Sequence, residues 1–204
     1  MSGAPLEPST ATLAYYERCA EEYVAQTRHA DMRALHEAFL ARVAPGGRIL
    51  DLGCGSGRDS KAFLARGYEV VAVDGAPALC ARAAAYLGQE VVCARFEDYA
   101  PEGIFDGIWA CASLLHLPAP EIARVLARLA PHLSRDGWLY ASFKYGSASG
   151  ERGGRYFTDL TEASLRTLLA QVPTLHLAAA TITQDTRPDR RSQPWLNAYL
   201  VRCD

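Results

Sequence analysis

Three glycines at alternate positions follow a short hydrophobic strand in the segment Arg48-Ile-Leu-Asp-Leu-Gly-Cys-Gly-Ser-Gly-Arg-Asp59. Glycines in a strand-to-helix turn let a ligand come close to the backbone. Dinucleotide-binding loops hold a pyrophosphate and have a third glycine where this chain has Arg58. Asp51 ends the strand, and its carboxylate would repel a pyrophosphate but attract an amino group. The loop therefore favours a ligand with a cationic end and no phosphate.

A second carboxylate comes at the end of the next predicted strand. The run Tyr68-Glu-Val-Val-Ala-Val-Asp74 places Asp74 about 20 residues after the loop, the spacing at which such a βαβ unit holds a ribose diol. S-adenosylmethionine combines an α-ammonium group, a sulfonium and a ribose, and it carries no phosphate. The two acids and the three glycines together predict this nucleoside as the ligand.

The combined motifs resemble one protein family. Asp51 to Gly57 reads D-x-G-x-G-x-G, Asp74 follows the second strand, and Phe105 to His116 has the pattern of a fourth strand and its loop. On these residues the chain is similar to the class I S-adenosylmethionine-dependent methyltransferases over residues 10 to 203. The resemblance implies an α/β fold with S-adenosylmethionine as cofactor. Its sheet would be Rossmann-like, seven-stranded and mixed (parallel with one antiparallel strand), flanked by helices on both faces.

The resemblance also implies where the cofactor lies. Its methionine portion would lie against the glycine loop, and Asp74 would take the ribose hydroxyls. The adenine contact falls within residues 95 to 98, where Phe96 could flank the ring and Glu97 or Asp98 could accept its amine. The expected cofactor-binding residues of the sheet and its loops are Asp51, Gly53, Cys54, Gly55, Asp74, Gly75, Phe96, Glu97 and Ala110.

The N-terminal helix carries further candidates for the cofactor site. Similar methyltransferases cover the methionine carboxylate with an aromatic residue and an arginine from this region, so Tyr16, Tyr23 and Arg28 are expected there. The seven-residue spacing of Tyr16 and Tyr23 places them on nearly one helix face. Alternatively, the tyrosines form a core-facing stripe and Arg28 binds the carbonyls at the helix end.

Catalysis needs little from the protein if the methyl group arrives on a sulfonium. Such a methyl is already activated, so the enzyme mainly positions a nucleophile and excludes water. His116 could act as a general base, because histidine titrates near neutrality, or it could simply pack at a loop and helix junction. Tyr156 is the second catalytic candidate. Six cysteines without a C-x-x-C pair or a suitably spaced histidine predict no metal site.

Two late segments are candidates for contact with a methyl acceptor. Tyr145 and Arg155 flank a glycine-rich segment, whereas Arg187 and Trp195 lie around the turn before the last strand. Arginines and aromatic rings together can bind a carboxylate or phosphate and stack on a planar group. If they face the cleft, the acceptor is anionic. The alternative is a solvated basic turn.

The elements that must position these residues alternate along the chain. Continuous apolar strands between amphipathic helices predict a parallel sheet covered on both faces, with its ligand beyond the carboxyl ends of the strands. Two helices come before residue 45. The predicted strands are 48 to 52, 69 to 73, 90 to 94, 105 to 111, 137 to 143, 174 to 184 and 195 to 202, and the later helices are 57 to 66, 76 to 87, 119 to 132 and 161 to 171.

We expect one methyltransferase domain over residues 1–204. Helices in residues 1–45 would cap the cofactor site, residues 46–143 would form the cofactor-binding core, and residues 144–204 would form the acceptor side. Residues 134 to 137 read as a turn. The segment Gly146 to Gly154 reads as a mobile lid without regular structure.

Composition narrows the class of protein. The 204 residues are 50% hydrophobic and carry a formal net charge of −2, which argues against a general nucleic-acid surface. The sequence shows neither the pattern of a signal peptide nor that of a membrane span. The cysteines read as reduced core residues. We expect a cytoplasmic monomer or homodimer with a small-molecule acceptor and without nucleic-acid or membrane partners.

The leading interpretation is methyl transfer from S-adenosylmethionine to an oxygen, nitrogen or sulfur atom of a small molecule. Methylation of RNA or protein is one alternative, and it would need an open basic surface near residues 144 to 155 and 187 to 191. A non-catalytic module that senses S-adenosylmethionine is another. A nicotinamide-dependent oxidoreductase is a more distant one.

Overall fold

The computed structural model describes residues 8–187 and 192–203. Two helices, α1 (Pro8–Thr27) and α2 (Arg33–Leu40), come first, and α1 is kinked at Cys19. The later helices α3 to α6 are Arg58–Leu64, Pro77–Leu87, Ala119–Leu129 and Glu162–Leu169. The strands β1 to β9 are Arg48–Leu52, Glu69–Asp74, Val92–Cys93, Phe105–Ala110, Leu133–Lys144, Ser149–Arg152, Arg155–Thr158, Leu175–Gln184 and Pro194–Arg202.

Seven strands form one mixed sheet in the order β3-β2-β1-β4-β5-β9-β8. Strands β1 to β5 pair in parallel, and β9 runs antiparallel to both β5 and β8. The predicted fold class, a seven-stranded sheet with one antiparallel strand, is confirmed. The chain moves outward from β1 to β3 and then returns to place β4 beside β1. Ligands of open α/β sheets bind at such a reversal of strand order.

Alternation along β1 divides the core between the two sheet faces. Leu50 and Leu52 belong to a cluster that includes residues of α5 and α6, whereas Ile49 packs with Phe39 of α2 and Phe63 of α3. Each fully buried side chain of this size contributes about 1.5–3 kcal/mol to folding. Helices therefore pack against both faces of the sheet.

The predicted helices form, with shifts at their ends. Helix α5 ends at Leu129 and continues as a 3-10 turn over Ala130–His132, because Pro131 cannot donate a backbone hydrogen bond to an α-helix. Helix α6 begins after Thr161, whose side chain accepts from the backbone N–H of Ser164 and completes a capping box.

One prediction about an irregular segment is wrong. Residues 149–158 form a β-hairpin of β6 and β7 within and beyond the predicted lid, because Gly153 and Gly154 both adopt positive φ (57° and 75°), as a tight two-residue hairpin turn requires. The turn predicted at 134 to 137 is a bulge within β5: Leu133 pairs with Phe105 and Trp138 with Gly107, and Asp136 between them has φ 58°. Within residues 8–187 and 192–203, no helix is both long and apolar enough to cross a membrane.

Candidate active site

A first cavity opens beyond the carboxyl ends of β1, β2 and β4, and we call it the glycine-loop cavity. It has an empty volume of about 570 Å³, including its opening to solvent, a size typical of small-molecule sites. Most of the residues predicted to bind the cofactor line it. They are Tyr16, Tyr23, Gly53, Gly55, Asp74, Gly75, Phe96 and Glu97.

The glycine loop forms one wall of this cavity, and side chains leave no room for larger residues in it. Gly53 has φ 85°, and a Cβ atom there would lie 2.4 Å from the Cβ atom of Ser113. Gly55 has φ 53°, and a Cβ atom there would lie 3.0 Å from the ring of Tyr23. Both positions therefore require glycine, for backbone conformation as well as for space. They expose bare backbone to the cavity.

Asp74 joins the ends of two neighbouring segments at the cavity floor. One carboxylate oxygen accepts from the backbone N–H of Gly55 and the other from that of Ala76, each at 2.9 Å. Burial raises the pKa of Asp74, and these backbone donors oppose the rise. Each oxygen keeps a free lone pair, so the carboxylate can still accept from hydroxyl groups of a ligand.

The segment after β3 lies on the opposite side of the cavity. Phe96, Glu97 and Arg95 line it, and Arg95 donates to Glu97 at 3.2 Å and to the hydroxyl of Ser9. Asp98 does not line it. Of the alternatives left open by the sequence, the structure therefore brings Phe96 and Glu97 to the cavity. The salt bridge with Arg95 holds the Glu97 carboxylate in place.

Sequence reasoning missed Ala112 and Ser113, which line the cavity where Ala110 was expected. Ala110 is fully buried within β4. Ala112 has φ 51°, a strained value for a residue with a Cβ atom, and its N–H donates to the hydroxyl of Ser142 at 2.8 Å. The buried hydroxyl of Ser113 has no hydrogen-bond partner among the described residues. A bound ligand can supply that partner.

The N-terminal helix forms the cover of the cavity with a stripe that we did not predict. Ser9, Thr12 and Leu13 line it together with Tyr16. Their spacing of three and four residues places them on one helix face. Extending the predicted tyrosine stripe towards the N-terminus would have identified them.

Four residues predicted to bind the cofactor do not line the cavity: Ala110, described above, and Asp51, Cys54 and Arg28. Asp51 is 1% exposed and accepts from the hydroxyl of Ser60 at 2.5 Å. Burial, together with repulsion from Asp59, raises the pKa of Asp51 to about 7. Cys54 is buried behind the loop, and burial raises the pKa of its thiol. Asp51 and Cys54 therefore lie behind the loop instead of at its surface.

Arg28 is the last of these four residues, and its guanidinium contacts the glycine loop and α4. Its guanidinium donates to the carbonyl of Ser56 at 3.3 Å and lies 4.2 Å from the ring centre of Tyr86. These two contacts hold the glycine loop against α1 and α4.

A second cavity opens beside the first, and we call it the arginine cavity. It has an empty volume of about 890 Å³, including its open mouth. Its charged lining residues are Arg58, Lys144, Arg155, Asp185 and Arg187, and its aromatic lining includes Tyr140, Phe157 and Trp195. The two cavities share one wall, formed by Tyr16, Tyr23, Ala112 and His116.

Tyr16 and His116 form a hydrogen-bonded pair in this shared wall. His116 Nδ1 lies 2.7 Å from the carbonyl oxygen of Tyr156, which can only accept, so Nδ1 carries the proton. Burial lowers the pKa of His116 to about 3, so the ring is neutral near pH 7. Its Nε2 atom therefore accepts from the hydroxyl of Tyr16 at 2.8 Å.

This geometry corrects the role predicted for Tyr156. Its side chain lines neither cavity, and its hydroxyl lies 3.2 Å from that of Ser149 in the hairpin. Its backbone is what reaches the site: the carbonyl orients His116, and the N–H donates to Thr12 at 3.0 Å. Tyr156 therefore joins the hairpin to α1 and to the loop after β4 through its main chain.

Two of the arginines in the arginine cavity are paired with acids. Arg187 donates to both carboxylate oxygens of Asp185, at 2.9 and 2.6 Å. Burial alone would raise the pKa of Asp185, but Arg187 more than reverses this and lowers it. Trp195 donates to the same carboxylate at 3.2 Å. Arg187 and Trp195 reach the cavity as predicted, whereas Tyr145 does not line it.

Arg58 is anchored by a buried network. Asp59 accepts from Arg58 at 2.7 and 2.8 Å, from His36 Nε2 at 2.8 Å and from Trp109 Nε1 at 2.9 Å. Burial alone would raise the pKa of Asp59, but Arg58 and His36 hold it below its usual range. This network holds the Arg58 guanidinium in the cavity wall, and the Asp59 carboxylate balances its charge. Among the described residues, no cluster of His, Cys, Asp or Glu could hold a metal ion.

Comparison with known proteins agrees with the geometry of the site. Residues 49–137 match the family model of a methyltransferase domain. The chain is 39% identical over 111 residues to ubiquinone biosynthesis O-methyltransferase of Xanthomonas campestris pv. campestris, over 50% of this chain and 45% of that protein. It is 38% identical over 103 residues to magnesium-protoporphyrin O-methyltransferase of Rhodobacter capsulatus, and this match covers 48% of this chain and 46% of that protein. The chain thus matches less than half the length of these relatives.

The fold extends the similarity beyond the matched segment. The chain is similar in fold to a crystal structure of 1,6-didemethyltoxoflavin-N1-methyltransferase of Burkholderia thailandensis with bound 1,6-didemethyltoxoflavin and S-adenosylhomocysteine. The match covers 100% of this chain and 94% of that chain. The TM-score is 0.79 at 22% identity. Residues 49–137 are thus similar to a methyltransferase domain, and the chain has the fold of this methyltransferase structure.

Proposed function

We propose that this protein transfers a methyl group from S-adenosylmethionine to a small molecule. The observation that carries the proposal is the wall shared by two cavities, formed around the Tyr16 and His116 pair. A cofactor in the glycine-loop cavity and an acceptor in the arginine cavity would meet at this wall. Transfer between two ligands requires such a meeting point.

The residues of the glycine-loop cavity fit the cofactor. S-adenosylmethionine, when bound, supplies a methyl group already activated on a sulfonium. The bare backbone at Gly53 and Gly55 admits a ligand at close approach, and Asp74 offers acceptors for ribose hydroxyls. Glu97 offers an acceptor for an amine. The unpartnered Ser113 hydroxyl offers a further contact.

The protein's own part is to close the site and orient the reactants. Helix α1 and the β6–β7 hairpin meet over the cavities, where the N–H of Tyr156 donates to Thr12. Tyr16 and Tyr23 place aromatic rings 5.1 Å apart in the shared wall. Together they exclude water from the point of transfer, which favours displacement of the methyl group by the acceptor over hydrolysis.

A small acceptor is supported by the dimensions of the arginine cavity and by the relatives. An empty volume of about 890 Å³ falls in the usual range for small-molecule sites. One structure of the same fold holds bound 1,6-didemethyltoxoflavin. The arginines and aromatic rings further favour an acceptor that is anionic and planar.

The direct test is transfer of labelled methyl groups from S-adenosylmethionine to pooled small molecules, with RNA and denatured protein as separate acceptors. We expect label in the small-molecule pool. Label only in RNA or protein would contradict the small acceptor. Cofactor binding without transfer to any pool would favour the sensing module.

A serine substitution tests the cofactor site separately. Ser113→Ala removes a hydroxyl that makes no hydrogen bond within the described protein, so we expect unchanged stability but roughly 10-fold weaker S-adenosylhomocysteine binding. Ser134→Ala is the matched control, because Ser134 lines neither cavity. Equal affinity in the two variants would remove Ser113 from the proposed site.

A further inference from the structure

The cations of the arginine cavity differ in how they are neutralised. Arg58 is paired with Asp59, and Arg187 is paired with Asp185. Arg155 has no carboxylate within 4.0 Å among the described residues. Its neighbours are aromatic faces and one phenol. Among the described residues, Asp185 is the one carboxylate that lines the cavity, and Arg187 is paired with it.

Arg155 lies beside the wall between the two cavities. Its guanidinium carbon is 4.5 Å from the ring centre of Tyr15 and 5.1 Å from that of Phe157. One terminal nitrogen donates weakly to the hydroxyl of Tyr16 at 3.4 Å. Its Nε atom is buried and has no hydrogen-bond partner among the described residues. Arg155 as a whole is half-buried, and an anion in the cavity would give its guanidinium a charge-assisted hydrogen-bond partner.

No base is available at the same wall. Both nitrogens of His116 are engaged, one by the Tyr156 carbonyl and one by the Tyr16 hydroxyl. The charged groups that face His116 are Arg155 on β7 and Lys144 on β5, and both oppose protonation of the ring. The Asp74 carboxylate lines the glycine-loop cavity but not the arginine cavity, and it accepts from two backbone N–H groups. An acceptor that must lose a proton would find no ready partner.

We propose that the acceptor is a small planar acid, and that the carboxylate held by Arg155 is the group that is methylated. This inference rests on the proposed methyltransferase function. The anion binds beside Arg155 and Tyr16 in the arginine cavity. Tyr16 also lines the glycine-loop cavity, in which the cofactor would bind. The aromatic rings of Phe157 and Trp195 face the rest of the acceptor.

The chemistry balances without a proton transfer. A carboxylate oxygen donates a lone pair to form the bond to the methyl carbon. The bond between that carbon and sulfur breaks, and its electron pair stays on sulfur. An anion and a sulfonium cation become a neutral methyl ester and a neutral thioether. The product has lost the charge that Arg155 holds, which favours its release.

Calorimetry on protein loaded with S-adenosylhomocysteine tests the anion site, with 2-naphthoate as probe and 2-naphthamide as its neutral match. We expect the acid to bind and the amide to bind at least 10-fold more weakly. Arg155→Gln should weaken binding of the acid roughly 10- to 100-fold, because charge-assisted hydrogen bonds are lost. Arg155→Lys should recover part of the affinity. Arg166→Gln, an exposed change that lines neither cavity, should have no effect.

Equal binding of acid and amide, no binding of either, or no effect of Arg155→Gln would overturn the proposal. S-adenosylhomocysteine affinity is measured on every variant, so a damaged fold is recognised separately. In the transfer assay, acids should yield methyl esters at a kcat/KM that is flat from pH 6 to 9. Transfer only to phenols, amines or thiols would overturn this inference while leaving the proposed methyltransferase function intact.

Discussion

The phenolic oxygen of Tyr16 lies 2.8 Å from Nε2 of His116, across 100 residues of sequence and in the wall that both cavities share. The carbonyl of Tyr156 fixes the tautomer of the histidine, so the phenol donates and its lone pairs face outward. The pair therefore forms part of the wall between the two cavities. It is not arranged as a proton acceptor.

Tyr16→Phe should damage both stability and turnover. The change leaves a buried histidine nitrogen without its donor, which costs about 1–3 kcal/mol of unfolding free energy. It also removes the phenol contact of Arg155, so we expect at least a roughly 10-fold loss of kcat. Denaturant unfolding and transfer rates measure the two effects.

Tyr15→Phe is the matched control for that change. Tyr15 is the neighbouring tyrosine on α1, and its hydroxyl makes no hydrogen bond among the described residues, although its ring packs against Tyr16. We expect wild-type stability and rate. Equal losses in the two variants would show that the Tyr16 hydroxyl has no special role.

Gly53→Ala and Gly67→Ala separate backbone strain from space. Their φ values are 85° and 84°, so alanine meets the same backbone penalty, about 1–2 kcal/mol, at both positions. A Cβ atom at Gly67 meets nothing within 4 Å, whereas at Gly53 it meets Ser113. We expect both variants to lose stability, but only Gly53→Ala to lose S-adenosylhomocysteine affinity. Normal affinity in Gly53→Ala would contradict the placement of the cofactor.

The imidazole of His116 should not titrate between pH 5 and 8 in NMR spectra. In the unfolded chain it binds a proton below about pH 6.5, whereas in the folded protein burial lowers its pKa to about 3. Its contribution to stability is therefore complete above pH 6.5 and is lost as the pH falls towards 3, by at most about 1.4 kcal/mol per pH unit. A titration near pH 6.5 would reinstate His116 as a candidate base.

Asp51 should make stability depend on pH in the opposite sense to His116, and Asp51→Asn should remove that dependence. Burial raises the pKa of Asp51 from 3.8 to about 7, so the folded protein binds a proton here that the unfolded chain has released. This contribution to stability is complete below pH 3.8 and is lost as the pH rises to about 7. Asparagine does not titrate, so the variant should gain stability relative to wild type between pH 4 and 8. A difference that is constant with pH would contradict a raised pKa.

The fold could be predicted because its signals are local. The alternation of apolar strands and amphipathic helices predicts the sheet. The glycine spacing predicts the loop whose Gly53 and Gly55 line the glycine-loop cavity. Asp74 was found for the same reason. It ends a strand, and parallel strands bring their carboxyl ends to one edge.

The features of the site that could not be predicted depend on contacts between residues far apart in sequence. No residue near Tyr156 in the sequence indicates that its carbonyl orients His116. Similarly, no residue near Asp51 indicates that the backbone of the glycine loop faces the cavity while the Asp51 carboxylate does not. Arg187 has the right residue type in the right region, but Asp185 occupies its guanidinium. Two features did have a local signal that could have been used: the hairpin turn at Gly153 and Gly154, and the helical spacing that places Ser9, Thr12 and Leu13 on the face of Tyr16.

Calorimetric titration of the purified protein with S-adenosylmethionine, and separately with a reduced nicotinamide dinucleotide, tests the central claim most directly. The account predicts one S-adenosylmethionine bound per chain, no measurable binding of the nicotinamide nucleotide, and loss of affinity in Gly53→Ala but not in Gly67→Ala. A folded protein that fails to bind S-adenosylmethionine, or that binds both nucleotides equally well, would contradict it.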